Sequence, residues 1–420
     1  MAEPLRAPIC IIGGGPGGCA AALQLARLGA EAVLVEKARF PRDKVCGDAL
    51  SGKVMRALER LDPELATAVK RDARAMPSWG VTFSAPGGRS LRVPFSRRTG
   101  QGEAPGAILP RLGFDDLLFQ RAKRAKGILA MEGAAARTFE RIDGAWSIGL
   151  EHEGAIRAVA ARLIIDASGA NSVFARRIAG LPMEPRHHAA GVRAYFSGVK
   201  GLDPDGFIEL IFLKELLPGY LWVFPLPDGR ANVGLGLRSD VVRKRKADLK
   251  KLLLELIATH RQLAGRFADA TLEGPVQGMG LPLAGKRHAL SGDGYLLIGD
   301  AAHLIDPFTG EGISHAMISG MHAADAAREA LAANDTSAAR LRGYDARVWR
   351  RLGQELAIST RLQQLAQQAW LFDLVVGRAS RSPALADAIS SMFTDLDLRA
   401  RLRQPGFYLD LLLERAPRRA

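Results

Sequence analysis

Gly13, Gly15 and Gly18 form a G-x-G-x-x-G pattern at the end of an apolar run, and no other feature of the chain limits its fold as strongly. Residues 8–12 read as a β-strand, 18–28 as a helix of small residues, and 32–35 as a second strand closing on Glu36. Such a β-α-β unit of about 30 residues belongs to a Rossmann-like α/β domain. Glycines without a Cβ let backbone amides approach a pyrophosphate at the positive end of the helix. Glu36, about 20 residues further along, suits the two ribose hydroxyls of an adenosine. Glycines alone would also fit a turn built for close helix packing; the β-α-β context and Glu36 favour a dinucleotide.

A second segment decides which dinucleotide. In YLLIGDAAHLIDPFTGEGI, Asp300 directly follows an apolar strand, where it can bind ribityl hydroxyls. Pro307, Gly310 and Gly312 then precede a helix expected to start near Ile313, whose N-terminus can hold negative charge at the N1/C2 edge of a reduced flavin. An NAD enzyme has no need of this second site, so FAD is expected. A third segment, Asp166 to Gly169 with Asn171, Ser172 and Arg176, again follows an apolar strand and fits a loop near the pyrophosphate. Arg111, ahead of FDDLL, is a further candidate on the flavin side.

The 420 residues allow two or three lobes. Residues 1–75, 106–180 and 276–335 are expected to form a discontinuous FAD-binding domain. Residues 76–105 and 181–275, rich in short β-runs with Gly and Pro turns, are expected to form an inserted antiparallel β-sheet domain for the substrate. Residues 248–267 read as one amphipathic helix, and 336–420 as a C-terminal helical region. Three cysteines without paired spacing exclude a disulfide framework and a zinc site. The opening MAEPLRAP has no signal-peptide pattern, and no apolar stretch reaches a membrane span, so a cytoplasmic setting is expected. The net charge of +14 would attract nucleic acid, anionic lipid or an acidic substrate. Basic residues concentrate only at 243–251, 340–351 and 415–419, and no nucleic-acid motif accompanies them. A solvated arginine-rich surface, or peripheral contact with the inner face of a membrane, accounts for them better.

Four stretches carry a resemblance: KVCGDALS at 44–51, PRLGFDDLL at 110–118, PGYLWVFP at 218–225, and GDAA with PFTGEGI. With the three nucleotide segments they resemble the para-hydroxybenzoate hydroxylase-like flavoproteins of glutathione-reductase type, and above all the geranylgeranyl reductase family. The resemblance implies bound FAD, a two-lobed fold, and reduction of isolated double bonds in the isoprenoid chain of a hydrophobic or lipid substrate, with NAD(P)H or a ferredoxin-type donor as reductant. It also places Lys44 at the flavin. Aromatic hydroxylases of this superfamily usually carry G-Q-G-x-N after the GD motif; Gly310, Glu311, Gly312 and Ile313 stand there instead, which favours a reductase. A monooxygenase or halogenase of a hydrophobic secondary metabolite is the alternative, and a non-catalytic flavin-binding redox sensor a lesser one.

Tyr220, Trp222 and Phe224 alternate, so one face of a strand presents all three. A plain sheet core would show the same pattern; the resemblance tips the reading toward a lipid-accepting tunnel. Cys46 would be an inert small hydrophobe by default, and the resemblance makes it a catalytic candidate beside the flavin. His303 follows the GDAA motif and is a weaker candidate near the flavin ring.

Overall fold

The computed structural model describes residues 3–95 and 102–380. Its first sheet runs Ser291–Gly292, Tyr295–Leu297, Ala155–Asp166, Leu5–Ile12, Ala32–Glu36, Ile128–Glu132. Leu5–Ile12 pairs in parallel with strands on both sides. Its residues Ile9, Cys10 and Ile11 are fully buried, which is why they read as an unbroken apolar run instead of an alternating one. The hairpin Ala134–Ile142 and Ala145–His152 extends this sheet by antiparallel pairing onto Ala155–Asp166.

Helix Pro16–Arg27 leaves the first strand through the glycine turn and packs against helix Ile313–Ala332. Small residues make this approach possible, since a Cβ on Gly320 would overlap the Gly17 carbonyl oxygen. The C-terminal helix Ala338–Leu365 starts at Ser337, whose hydroxyl accepts from the Arg340 amide, and buries Leu341, Val348, Leu352 and Leu356 in the same core.

The second sheet has seven strands in the order Thr271–Pro282, His188–Ser197, Arg230–Arg238, Tyr220–Leu226, Ile208–Ile211, Gly80–Ser84, Ser90–Pro94. It differs from the sequence expectation in three ways. Ile208–Ile211 runs parallel to Gly80–Ser84, so the sheet is mixed; these strands come from separate excursions of the chain, and no hairpin forces them antiparallel. Residues 276–282 stay in this sheet, because Thr271–Pro282 pairs along the whole of His188–Ser197. The stretch 248–267 is split: Leu249–Thr259, capped by Asp248, ends before a short turn of helix at Ala264–Phe267. Leu253, Leu256 and Ile257 cover one face of the sheet.

On the other face, Trp222 and Phe224 share an apolar cluster with Phe308 and with Phe372 of helix Ala369–Ala379. Among the described residues no helix is long and apolar enough to cross a membrane. The basic stretch 415–419 and the remainder of the expected C-terminal region lie outside the described residues.

Candidate active site

The fingerprint glycines divide by what surrounds them. Gly13 has φ +107°, and a Cβ there would overlap the Ala167 carbonyl oxygen; a Cβ on Gly18 would overlap the Gly13 carbonyl oxygen. Those two allow turn, strand and helix to close together. A Cβ on Gly15 would meet only Arg42 Nη2, at 3.7 Å. Gly15 is also the N-cap of helix Pro16–Arg27, and no side chain caps the amides at that positive helix end, an arrangement suited to an anion. Glu36 is buried and accepts the Gly14 amide at 2.7 Å on Oε2 and the Ala38 amide at 2.9 Å on Oε1. Each oxygen keeps a second lone pair for a hydroxyl. This cradle fits a dinucleotide pyrophosphate and ribose.

The Asp166 loop leans on the same turn, with the Ala167 amide donating to the Ile12 carbonyl at 2.8 Å. The Asp166 carboxylate points inward instead of toward a ligand. It accepts the Ser168 amide and hydroxyl at 3.1 and 2.6 Å and the Ser172 hydroxyl at 2.5 Å. Burial raises its pKa despite these donors. Gly169, at φ +82°, supplies the left-handed turn that follows.

Asp300 Oδ2 pairs with Lys44 Nζ at 3.0 Å. The loop after it is organised by Asp306, whose Oδ1 accepts the Phe308 and Thr309 amides at 2.9 and 2.8 Å. Gly310 adopts φ +72°, and Gly312 is the N-cap of helix Ile313–Ala332, where the Glu311 carboxylate accepts the Ser314 amide at 3.0 Å. Tyr220 Oη donates to the Thr309 carbonyl at 2.6 Å, which ties this loop to the second sheet.

Lys44, Cys46, Arg111, Asp300, Gly310, Gly312 and Ile313 line one cleft together with Tyr220, Trp222 and Phe224. The three rings form a continuous stripe, with successive centroids 6.4 and 6.3 Å apart. Pro307 is not part of this lining; its carbonyl accepts from Gln363 Nε2 at 2.7 Å, on the side of the C-terminal helix. His303 is absent from the lining too, and burial pushes its imidazole pKa down to about 4.

Arg111 is buried and gives two hydrogen bonds to Asp115, at 2.5 and 2.7 Å. The Asp115 carboxylate and the nearby Cys46 sulfur outweigh burial and hold its pKa above the ordinary value. Arg42 Nη1 also reaches Asp115, at 2.5 Å.

Three residues that sequence reasoning left out stand behind Cys46. Asp48 accepts Tyr195 Oη at 2.6 Å and Asn232 Nδ2 at 2.7 Å on Oδ2, and the Arg111 amide at 3.2 Å on Oδ1. Asn232 Nδ2 also donates to the Cys46 carbonyl at 2.8 Å, and its Oδ1 accepts Trp222 Nε1 at 2.9 Å. Burial pushes the Asp48 carboxyl up to about 6. Asp48 lay within KVCGDALS and so was visible as part of a motif; Tyr195 and Asn232 carried no signal.

A second buried charge cluster underlies the Asp306 loop. Lys53 pairs with Glu355 of the C-terminal helix, and His315 Nε2 lies 3.8 Å from the same carboxylate while its Nδ1 meets the Leu304 carbonyl at 2.7 Å.

Residues 6–205 match the model of an FAD binding domain. The chain is 30% identical over 347 residues to digeranylgeranylglycerophospholipid reductase 2 of Methanopyrus kandleri, covering 81% of each. It is 29% identical over 338 residues to menaquinone reductase of Mycolicibacterium smegmatis, covering 76% of each. A solved geranylgeranyl bacteriochlorophyll reductase-like protein from Thermoplasma acidophilum superposes with a TM-score of 0.80 at 25% identity, over 94% of this chain and 98% of that one. Flavin-dependent halogenases at 20 and 22% identity share the fold alone. The chain therefore belongs to the geranylgeranyl reductase family of FAD-dependent oxidoreductases.

Proposed function

We propose that this protein saturates isolated carbon–carbon double bonds in an isoprenoid chain carried by a lipid or quinone. One observation carries the reading: the aromatic stripe Tyr220, Trp222 and Phe224 faces the same cleft as Asp300, Gly310 and Gly312. An apolar chain laid along that stripe lies across the residues suited to a flavin ring.

FAD, once reduced, supplies the hydride. In this reading Gly13, Gly15 and Gly18 admit its pyrophosphate, with the Asp166 and Gly169 loop closing behind. Glu36 takes the adenosine ribose, and Asp300 with Lys44 takes the ribityl hydroxyls. The helix N-terminus at Gly312 and Ile313, in a loop shaped by Gly310 and Pro307, would offer the amides that Glu311 does not take to negative charge on the ring. Arg111, fixed by Asp115, keeps a positive charge in the wall beside Cys46. The aromatic stripe holds the alkene and keeps water out, while Cys46 delivers or orients the proton that completes the reduction.

NAD(P)H or a ferredoxin-type protein serves as electron donor. Peripheral contact with an anionic membrane face would bring a lipid substrate within reach, and the net charge of +14 favours it.

The test is anaerobic turnover of a prenylated substrate with prereduced enzyme, followed by mass spectrometry. Gain of two hydrogen atoms per double bond is the expected product. Gain of an oxygen or halogen atom, or a strict requirement for oxygen, overturns the proposal.

A further inference from the structure

Cys46 sits in a turn that belongs to the first lobe, yet two of the turn's hydrogen-bond partners, Tyr195 and Asn232, are in the second. The turn is held at Asp48, a buried residue in the left-handed region at φ +68°. Three donors converge on its carboxylate: Tyr195 Oη and Asn232 Nδ2 from neighbouring strands of the seven-stranded sheet, and the Arg111 amide from the first lobe. Asn232 spans both ends of the turn, since the same Nδ2 donates to the Cys46 carbonyl and to Asp48. Through Oδ1, Asn232 also holds the Trp222 indole of the aromatic stripe. One carboxylate thus fixes the thiol and the substrate wall relative to each other.

We propose that Asp48 is a positioning residue for Cys46: its carboxylate clamps the 46–48 turn between the two lobes and sets where the thiol stands against the aromatic stripe. The proposal rests on Cys46 assisting the reduction, as argued above. In alkene reduction the proton must reach one carbon as hydride reaches its neighbour, so displacing the thiol lowers the rate of the bond-forming step more than it weakens substrate binding.

The clamp is sensitive to pH. Ionised, Asp48 accepts all three donors; protonated, one of its oxygens becomes a donor facing donors. Burial places this change at about 6. The other charges facing it are Arg193, which pairs with Asp43 at 2.6 Å and lies 4.3 Å from the Tyr195 ring centroid, and the Arg111 guanidinium, which Asp115 holds. Arg230 lies 6.0 Å from the same tyrosine ring. None of the three is neutralised near pH 6.

Cys46 is the one cysteine that is not buried, so its alkylation reports on the turn without any substrate. Iodoacetamide labelling of the FAD-loaded enzyme, mapped by mass spectrometry and normalised to a free thiol at each pH, is expected to accelerate as pH falls through about 6. Asp48→Asn keeps the shape and tolerates the left-handed backbone. It should label roughly tenfold faster at pH 8, with no step near pH 6, as for one lost hydrogen bond to a charged group. Tyr195→Phe removes one donor that stabilises the ionised carboxylate, so the step should move to higher pH. With prereduced enzyme, Asp48→Asn should lower kcat while KM stays within about twofold, on the same differential-binding logic.

Equal labelling of Asp48→Asn and wild type at every pH, or an unmoved step in Tyr195→Phe, overturns the clamp. Should Asp48→Asn fail to fold, the wild-type profile and Tyr195→Phe decide alone. Expected labelling without any alkene reduction would sink the proposed function and leave the clamp standing.

Discussion

Two glycines three residues apart should fail in different ways when each becomes alanine. Gly15 has φ −76° and ψ −176°, an extended conformation that alanine adopts freely, and its added methyl meets nothing nearer than Arg42 Nη2 at 3.7 Å. The ligand-free Gly15→Ala protein should stay within about 1 kcal/mol of wild type, because alanine restricts the unfolded chain but is a poorer N-cap than glycine. The same methyl occupies the space through which a pyrophosphate approaches the helix amides, so FAD affinity should fall at least roughly tenfold, about 1.4 kcal/mol. Gly18→Ala places a carbon in overlap with the Gly13 carbonyl oxygen, 3.1 Å from its carbon and 3.2 Å from Ala167 Cβ. Backbone on both sides must shift, and overpacking of that kind costs about 1–3 kcal/mol or more before any ligand is added. Urea unfolding of the apoproteins, paired with FAD titration by flavin fluorescence, separates the two effects. A Gly15→Ala protein that binds FAD as wild type does would refute the assignment of that open space to the pyrophosphate. Unchanged apo stability in Gly18→Ala would refute the packing argument.

Three further outcomes follow from the same geometry. Asp300→Ala should release FAD more readily, by roughly ten- to a hundredfold if one or two polar contacts are lost, measured as flavin retained after gel filtration; full retention would remove Asp300 from the cofactor site. Cys46→Ala, assayed with FAD content checked and flavin prereduced, should slow the alkene step or change which bonds react, and an unchanged rate and product pattern would return Cys46 to a packing role. Glu355→Gln should lower stability by about 3–5 kcal/mol, because the Lys53 and His315 charges would then face an amide inside the protein. The pH signs are opposed. Glu355 is held below the ordinary carboxylate range, chiefly against burial by His315 and Lys53, so its contribution is present above about pH 4.3 and fades as pH falls. His315 is raised by Glu355 despite burial, so its contribution is present below about pH 6.5 and fades as pH rises. Urea midpoints of wild type should therefore depend on pH at both ends, and those of Glu355→Gln much less; parallel curves would refute the pairing.

What the chain revealed in one dimension is what its physics keeps local. A glycine turn, the strand before it, the helix after it and Glu36 all lie within a few tens of residues, and each obeys a short-range rule about φ, Cβ or periodicity. The stripe Tyr220, Trp222 and Phe224 was legible for the same reason, since alternation places side chains on one face whatever the sheet does next. Pro307 shows where this stops. Its position in the motif is clear, yet whether it turns to the cleft or to the C-terminal helix depends on Gln363, a partner from another element. The mixed pairing of Ile208–Ile211 with Gly80–Ser84 was hidden likewise, because parallel neighbours need not be adjacent in the chain.

Asp48 and Glu355 mark the harder limit. Asp48 meets Asn232 across 184 residues, and Lys53 meets Glu355 across 302. In sequence Glu355 is an unremarkable charge, most simply read as solvated, and Asp48, though inside KVCGDALS, shows none of its partners. A buried carboxylate is tolerable only where donors converge on it, and those donors come from elements far apart in the chain: two strands of the second sheet and the start of helix Arg111–Lys123 for Asp48, two helices for Glu355. Tyr195 and Asn232 reach Asp48 together because they oppose each other on adjacent strands, a pairing that a one-residue slip would abolish. The chemistry of the cleft thus depends on two kinds of information. The cofactor cradle is encoded in contiguous motifs, whereas the placement of Cys46 against the aromatic wall depends on how the two sheets meet, and that is why a substitution at Asn232, outside every motif, should disturb the thiol as much as one beside it.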